Sequence, residues 1–267
     1  MGFSGRLLKK TSFIPTKFGI SLLAKANLRS IKKIQQTNKR NFMNIKKLAT
    51  IPLLLIGEYA MALPIVQVNF IFATPHVEAQ KFDNLSQIKK EVDILNRYFV
   101  TEKNQPIFKF ELNKYIPYQK FKQLNCKLSH LLESPKPMER PALIKIFRQC
   151  FPSKSKEAEV YIFIFDSYSS KSGFKAADSW GFHNNGRPII LLDWERLNYN
   201  IQAALPHEMG HAFGLRHLCV KGAKLKDTTN LMASKGGCDG SGGQRNIGFY
   251  DQQIQIIKEH YQKLKSR

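Results

Sequence analysis

Residues 207–217 read His-Glu-Met-Gly-His-Ala-Phe-Gly-Leu-Arg-His, and this stretch concentrates the chemistry of the chain. His207 and His211 are four residues apart, so on a helix they share one face about 6 Å apart along the axis. Two imidazoles in that relation can hold one tetrahedral zinc ion, and Glu208 beside the first can act on a bound water. Gly214 lies three residues after His211, where a helix can stop on a left-handed residue without a Cβ clash. The chain can then turn and bring His217 back as a third ligand. Three protein ligands and one open position describe catalytic zinc, whereas structural zinc sites are closed by four. The rival reading is a buried helix whose histidines satisfy core hydrogen bonds. Five fixed positions would match by chance in such a chain with odds on the order of one in a hundred thousand, which favours the metal.

The spacing His207-Glu208-x-x-His211-x-x-Gly214-x-x-His217 resembles the metzincin signature, a family that also carries a methionine turn downstream. Asn230-Leu231-Met232-Ala233-Ser234 is the matching segment, with Met232 fifteen residues after His217. The resemblance implies a zinc endopeptidase on an α/β (α+β) metzincin-like zincin domain. Such a domain has a mixed, mostly parallel twisted sheet with an antiparallel edge strand, an active-site helix and a C-terminal helix. It implies one catalytic Zn2+ on His207, His211 and His217, Glu208 as general base, and Met232 as an apolar floor beneath the ion. Astacin-like members place a tyrosine two residues after the methionine; here that residue is Ser234, so a tyrosine ligand is not implied.

The elements that must position these residues can be sketched from periodicity. Val66–Ala73, Ile107–Ile116 and Glu159–Asp166 have the apolar patterning of strands, the last almost uninterrupted, as in a strand buried on both faces. Ser86–Phe99 has apolar residues at helical spacing, with Ser86 or Asn84 as cap, and Ala142–Cys150 reads as a short helix after the proline-bearing loop 134–141. Strand, helix, strand, helix, strand predicts a mostly parallel sheet. Trp180-Gly181-Phe182, the turn Asn184-Asn185-Gly186 and Arg187–Leu192 follow. In metzincins this region gives the edge strand above the cleft, so Trp180, Gly181 and Phe182 are candidate substrate contacts by strand addition. Asn200 is expected to open the active-site helix. Pro206 then either kinks it or marks the start of its regular part. The glycine-rich stretch 236–243 is expected in the wall of the substrate pocket, and Asp251–Lys265 as a C-terminal helix. His76, His130, His183 and His260 are read as solvated rather than ligating, with His183 closest to the expected cleft. Asp227 and Asp239 could take calcium, although nothing in their spacing supports it.

The chain has 267 residues, 43% of them apolar, and a formal charge of +22. Twelve Lys or Arg and no acid fall in residues 1–47, and Glu58 is the only acid through Ala62. Residues 63–267 keep thirty basic and nineteen acidic residues, or +11. Nucleic-acid binding inferred from total charge loses half its support, and none is expected; an anionic envelope surface remains compatible. Met43-Asn44-Ile45-Lys46-Lys47, the apolar run 48–57 and Ala60-Met61-Ala62 have the form of a secretory signal peptide with its cleavage site. Residues 1–42 are then an over-extended start, the preferred reading, or a basic leader. The organisation expected is 1–42 leader, 43–62 signal peptide and 63–267 catalytic domain, secreted or periplasmic and monomeric.

Cys126, Cys150, Cys219 and Cys238 all follow the expected cleavage, and an even number in an exported chain suggests disulfides. Of three connectivities, Cys126–Cys150 with Cys219–Cys238 closes the shortest loops. A zinc-ligating, latency-keeping cysteine is the alternative, but Cys126 lacks the flanking residues of the matrixin switch. The expected activity is hydrolysis of protein or peptide substrates. The rivals are a zinc amidase acting on a cell-envelope or other non-protein amide, and a non-catalytic binding module.

Overall fold

The structure, a computed structural model, describes residues 62–266 apart from 125–126, 129–131, 133–139, 153–155, 168–178 and 237. The expected leader and the signal peptide up to residue 61, Cys126, His130 and most of the proline-bearing loop therefore lie outside the described residues.

Five strands, β1 (Ile65–Phe72), β2 (Lys109–Ile116), β3 (Glu159–Phe165), β4 (Trp180–Phe182) and β5 (Ile189–Asp193), form one sheet in the order β2-β1-β3-β5-β4. β2, β1, β3 and β5 run parallel, and β4 adds antiparallel to β5 at the edge. Val66, Val68, Phe70 and Phe72 point to one face with Ile162, Ile164, Ile190 and Leu192. That face packs on helix α2 (Leu85–Tyr98), the histidine-bearing helix α5 (Ala204–Ala212) and the C-terminal helix α6 (Asp251–Lys265). Ile71, Phe163, Phe165, Ile189 and Leu191 face the other way, against Leu143 and Phe147 of α4 (Arg140–Cys150) and against Phe121 in the short α3 (Tyr118–Phe121). Cover on both faces explains why β3 and β5 are apolar nearly throughout. A further single turn of helix, α1 (Val77–Gln80), follows β1. A separate parallel pair, β6 (Thr228–Asn230) and β7 (Gln244–Ile247), carries the segment around Met232.

Most expected elements recur within a few residues of their sequence bounds, and the departures have local causes. Asn84, not Ser86, caps α2, its side chain accepting from Gln87 N at 2.9 Å. β2 bulges opposite Val68 and Asn69. Asn113 is the additional residue there, and its side-chain amide donates to Asn69 Oδ1 at 3.0 Å. Asn200 does not open α5: it sits in a turn, accepting from Gln202 N at 2.9 Å, and the helix starts at Ala204. Pro206 therefore falls in the first turn, where a missing N–H leaves no bond unmade, and no kink is needed.

The loop into α5 is tied to α2 through a buried acid. Glu91 Oε1 accepts from Asn198 N and from Gln87 Nε2, each at 2.7 Å, while Oε2 is buried without a hydrogen-bond partner. Burial raises this carboxyl from its ordinary 4.5 to about 7, outweighing the two hydrogen bonds. Because the folded chain holds the proton more tightly, the resulting stabilisation is full below pH 4.5 and is lost as pH rises through about 7. The rise corresponds to about 3 kcal/mol. Glu91→Gln should remove that slope, leaving a flatter stability curve across this window. Denaturant unfolding of both proteins at acid, neutral and mildly alkaline pH measures it, and parallel curves would show that Glu91 is ionised when folded.

Candidate metal centre

Helix α5 ends in a Schellman turn: Leu215 N donates to Gly210 O at 3.0 Å and Gly214 N to His211 O at 2.9 Å. Gly214 has φ +85°, the left-handed conformation that a residue without Cβ adopts at no steric cost. The reversal sends the chain back along the helix and brings His217 beside His207 and His211. One ring nitrogen from each of the three lies within 4.8 Å of the others. Among the described residues no other group of histidines, cysteines and acids could hold a metal ion, and this one includes no fourth ligand.

Two backbone carbonyls set the ring orientations. His207 Nδ1 lies 2.6 Å from Leu231 O, and His211 Nδ1 lies 2.8 Å from Leu215 O. A carbonyl oxygen only accepts, so each Nδ1 carries the proton and each Nε2 keeps its lone pair for the cavity. His207 Nε2 and His217 Nε2 are 3.3 Å apart. Two nitrogens each about 2.0–2.1 Å from a tetrahedral ion would be about 3.3 Å apart, so the donor set fits one such cation. Burial lowers the pKa of all three imidazoles, with the charge of Arg245 adding to it. Neutral rings are the form that ligates.

Met232 is fully buried beneath this helix. A Cβ at Gly210 would run into its Sδ, which places the sulfur against the helix backbone between the two ligand histidines. Its amide donates to Asn230 Oδ1 at 2.9 Å, and that oxygen also accepts from Gln253 Nε2 at 3.1 Å. The first turn of α6 thus fixes the methionine turn. Leu218 N donates to Met232 O at 2.7 Å, so the residue after His217 is pinned to the same turn. Cys219 and Cys238 form a disulfide with Cα atoms 5.3 Å apart, stapling the stretch that leaves His217 to the loop beyond Met232. Cys126, of the other expected bridge, is outside the described residues.

The histidines open on a cavity of about 430 Å3. Glu208, only 6% exposed, lines it next to His207. Trp180 and Gly181 of β4 line it as well, whereas Phe182 does not; Phe182, like Trp180, packs against the apolar cluster of Phe163, Leu191 and Phe147. β4 lies hard against α5: a Cβ at Gly181 would strike Glu208 O. None of the described residues of the glycine-rich stretch lines the cavity, and Ser234 and Arg245 stand there instead. Ser241 N donates to Ala223 O and Thr229 Oγ1 to Gly242 O, each at 2.7 Å, which ties the later part of the loop to segments outside the cavity wall. Asp227 caps a local turn by accepting from Lys224 N at 2.8 Å, and among the described residues it forms no metal-ligand group with Asp239. His183 and His260 are hydrogen-bonded to each other at 2.6 Å, and His76 stacks on Trp194.

Ser179, Arg196, Gln202 and Arg245 also line the cavity and had no signal in the sequence. They come from loops, from the 3-10 turn Trp194–Arg196 and from β7, up to 38 residues from His207, and only the fold collects them. The disulfide loop spans 19 residues, so replacing Cys219 and Cys238 by Ser should cost about 3 kcal/mol. Gly181→Ala should cost about 1–3 kcal/mol by forcing β4 off the helix; thermal unfolding checks both. His211→Ala should weaken zinc binding by more than the roughly 10–100-fold that loss of an outer partner costs, as read by equilibrium dialysis.

In comparisons with models of known protein families and with curated proteins, the chain matches none.

Proposed function

We propose that this chain is an exported zinc endopeptidase of the metzincin type, with the ion on His207, His211 and His217. The observation that carries this reading is the convergence of three outward-facing imidazole nitrogens, with Glu208 beside them in a cavity. Zinc held there would polarise the scissile carbonyl and make a water acidic. Glu208 takes the proton of the attacking water on its carboxylate and returns it to the amine nitrogen as the C–N bond breaks. β4 pairs antiparallel with β5 at the end of the sheet, and an extended peptide aligned along the cavity would run beside the wall formed by Trp180 and Gly181. Buried Met232 holds the ligand helix from below, and the Cys219–Cys238 bridge suits an oxidising compartment. No described helix is long and apolar enough to cross a membrane.

The test is cleavage of a mixed peptide library by the oxidised, zinc-loaded full chain, with Glu208→Gln as the matched control. Wild type should cleave, while the variant should keep one zinc per chain and lose at least about a hundredfold in rate. Equal activity in the two proteins would remove Glu208 from the chemistry. Zinc bound but no cleavage by either would turn the reading toward a non-peptide amide.

A further inference from the structure

We infer that the cavity beside the histidines binds a carboxylate of the substrate, with Arg245 as its principal contact and Arg196 as a second cation. The inference rests on the peptidase reading for the identity of the ligand, since the usual anion of a peptide is a carboxylate. Its geometric support is separate from the metal centre.

Arg245 is held in place before anything binds. Its backbone N–H donates to Ile201 O at 2.9 Å, its Nε to Ala233 O at 2.7 Å and its Nη1 to Gln202 O at 3.0 Å. These carbonyls come from the loop entering α5 and from the turn after Met232, so the guanidinium is fixed between two walls of the cavity. A guanidinium has five N–H donors, and only two are used by these side-chain bonds. Both donors of Nη2 and one of Nη1 remain, and these can donate to a carboxylate.

The charge balance of the cavity points the same way. No described carboxylate lies within ion-pair distance of Arg245, although the side chain is largely buried. Burial pulls its pKa down to about 10, the charge of Arg196 pushes in the same direction, and Glu208 opposes them. A largely buried cation without a paired anion is unfavourable. Among the described residues Glu208 is the only acid lining the cavity, and proton transfer commits it. A substrate carboxylate would supply the missing counter-charge. Arg245 is thereby a selectivity residue, and the rival is a mere strut between residues 201–202 and 233.

Two sources of carboxylate fit: an acidic side chain next to the scissile bond, or the free C-terminus of a short peptide. The experiment uses the zinc-loaded full chain and matched peptide pairs: Glu against Gln after the scissile bond with an amidated end, and a neutral residue there with a free or amidated end. The carboxylate member of at least one pair should have kcat/KM roughly tenfold or more above its partner, and the favoured pair identifies the source. Arg245→Gln should bring that ratio close to one, and Arg245→Lys should restore part of it. A strut would lower both members of a pair equally and leave the ratio unchanged, which overturns the proposal; so does the absence of preference in both pairs. Calorimetric titration of zinc-loaded Glu208→Gln with the same peptides gives the answer without turnover. A tighter Kd for the carboxylate peptide supports the site even if nothing is cleaved, and equal values sink it even if cleavage occurs. Should Arg245→Gln fail to fold, Arg196→Gln decides: a reduced carboxylate preference supports the site and an unchanged one overturns it.

Discussion

Two hydrogen bonds from histidine rings to backbone carbonyls decide what this site can be. Leu231 O and Leu215 O take the Nδ1 protons of His207 and His211, and each bond both fixes a tautomer and aims a lone pair into the cavity. Without them the imidazoles could rotate or switch protons, and three nitrogens would not converge at ligand spacing. Leu215 is placed by the helix-ending turn at Gly214, and Leu231 by the methionine turn. The two structural signatures around the histidines therefore act as supports for the ligands.

The supports are themselves supported. Asn230 is completely buried and links α6, through Gln253, to the amide of Met232. Arg245 joins Ala233 to Gln202, so the methionine turn and the loop entering α5 are braced against each other. On the far side, Glu91 and Gln87 of α2 hold Asn198 in the same entering loop. The histidine-bearing helix α5 has only nine residues, too few to be stable by itself. Its placement comes from these braces and from Leu205, Met209 and Phe213 buried in the core.

This arrangement has an electrostatic consequence. Among the described residues the cavity is lined, besides the three histidines that could hold a metal ion, by two guanidiniums and one carboxylate. Burial keeps the histidines neutral, so the positive potential comes from arginines that do not ligate. Such a cavity favours anions, and the restrained position of Arg245 means that little side-chain entropy would be lost on binding one.

The sequence alone made the helix, its glycine stop and the grouping of His207, His211 and His217 legible, because local spacing on a helix sets them within one short stretch; Met232 was expected from the resemblance, and the fold seats it against Gly210 of that helix. It also determined the parallel core of the sheet, since apolar runs such as 160–165 suit only strands covered on both faces. Helix starts were less legible. Asn200 has a capping side chain but uses it in a turn, and left-handed Ala203 leads into the helix instead. The cavity wall was decided by tertiary structure. Arg245 and Gln202 meet across the site through bonds to backbone carbonyls, which any residue can offer and no pattern marks. The glycine-rich stretch turns away from the cavity for the same reason: its direction follows from bonds to Ala223 and Thr229. Chemistry written in short-range periodicity could be read from the chain; the charge surrounding it depended on which distant loops the fold brings together.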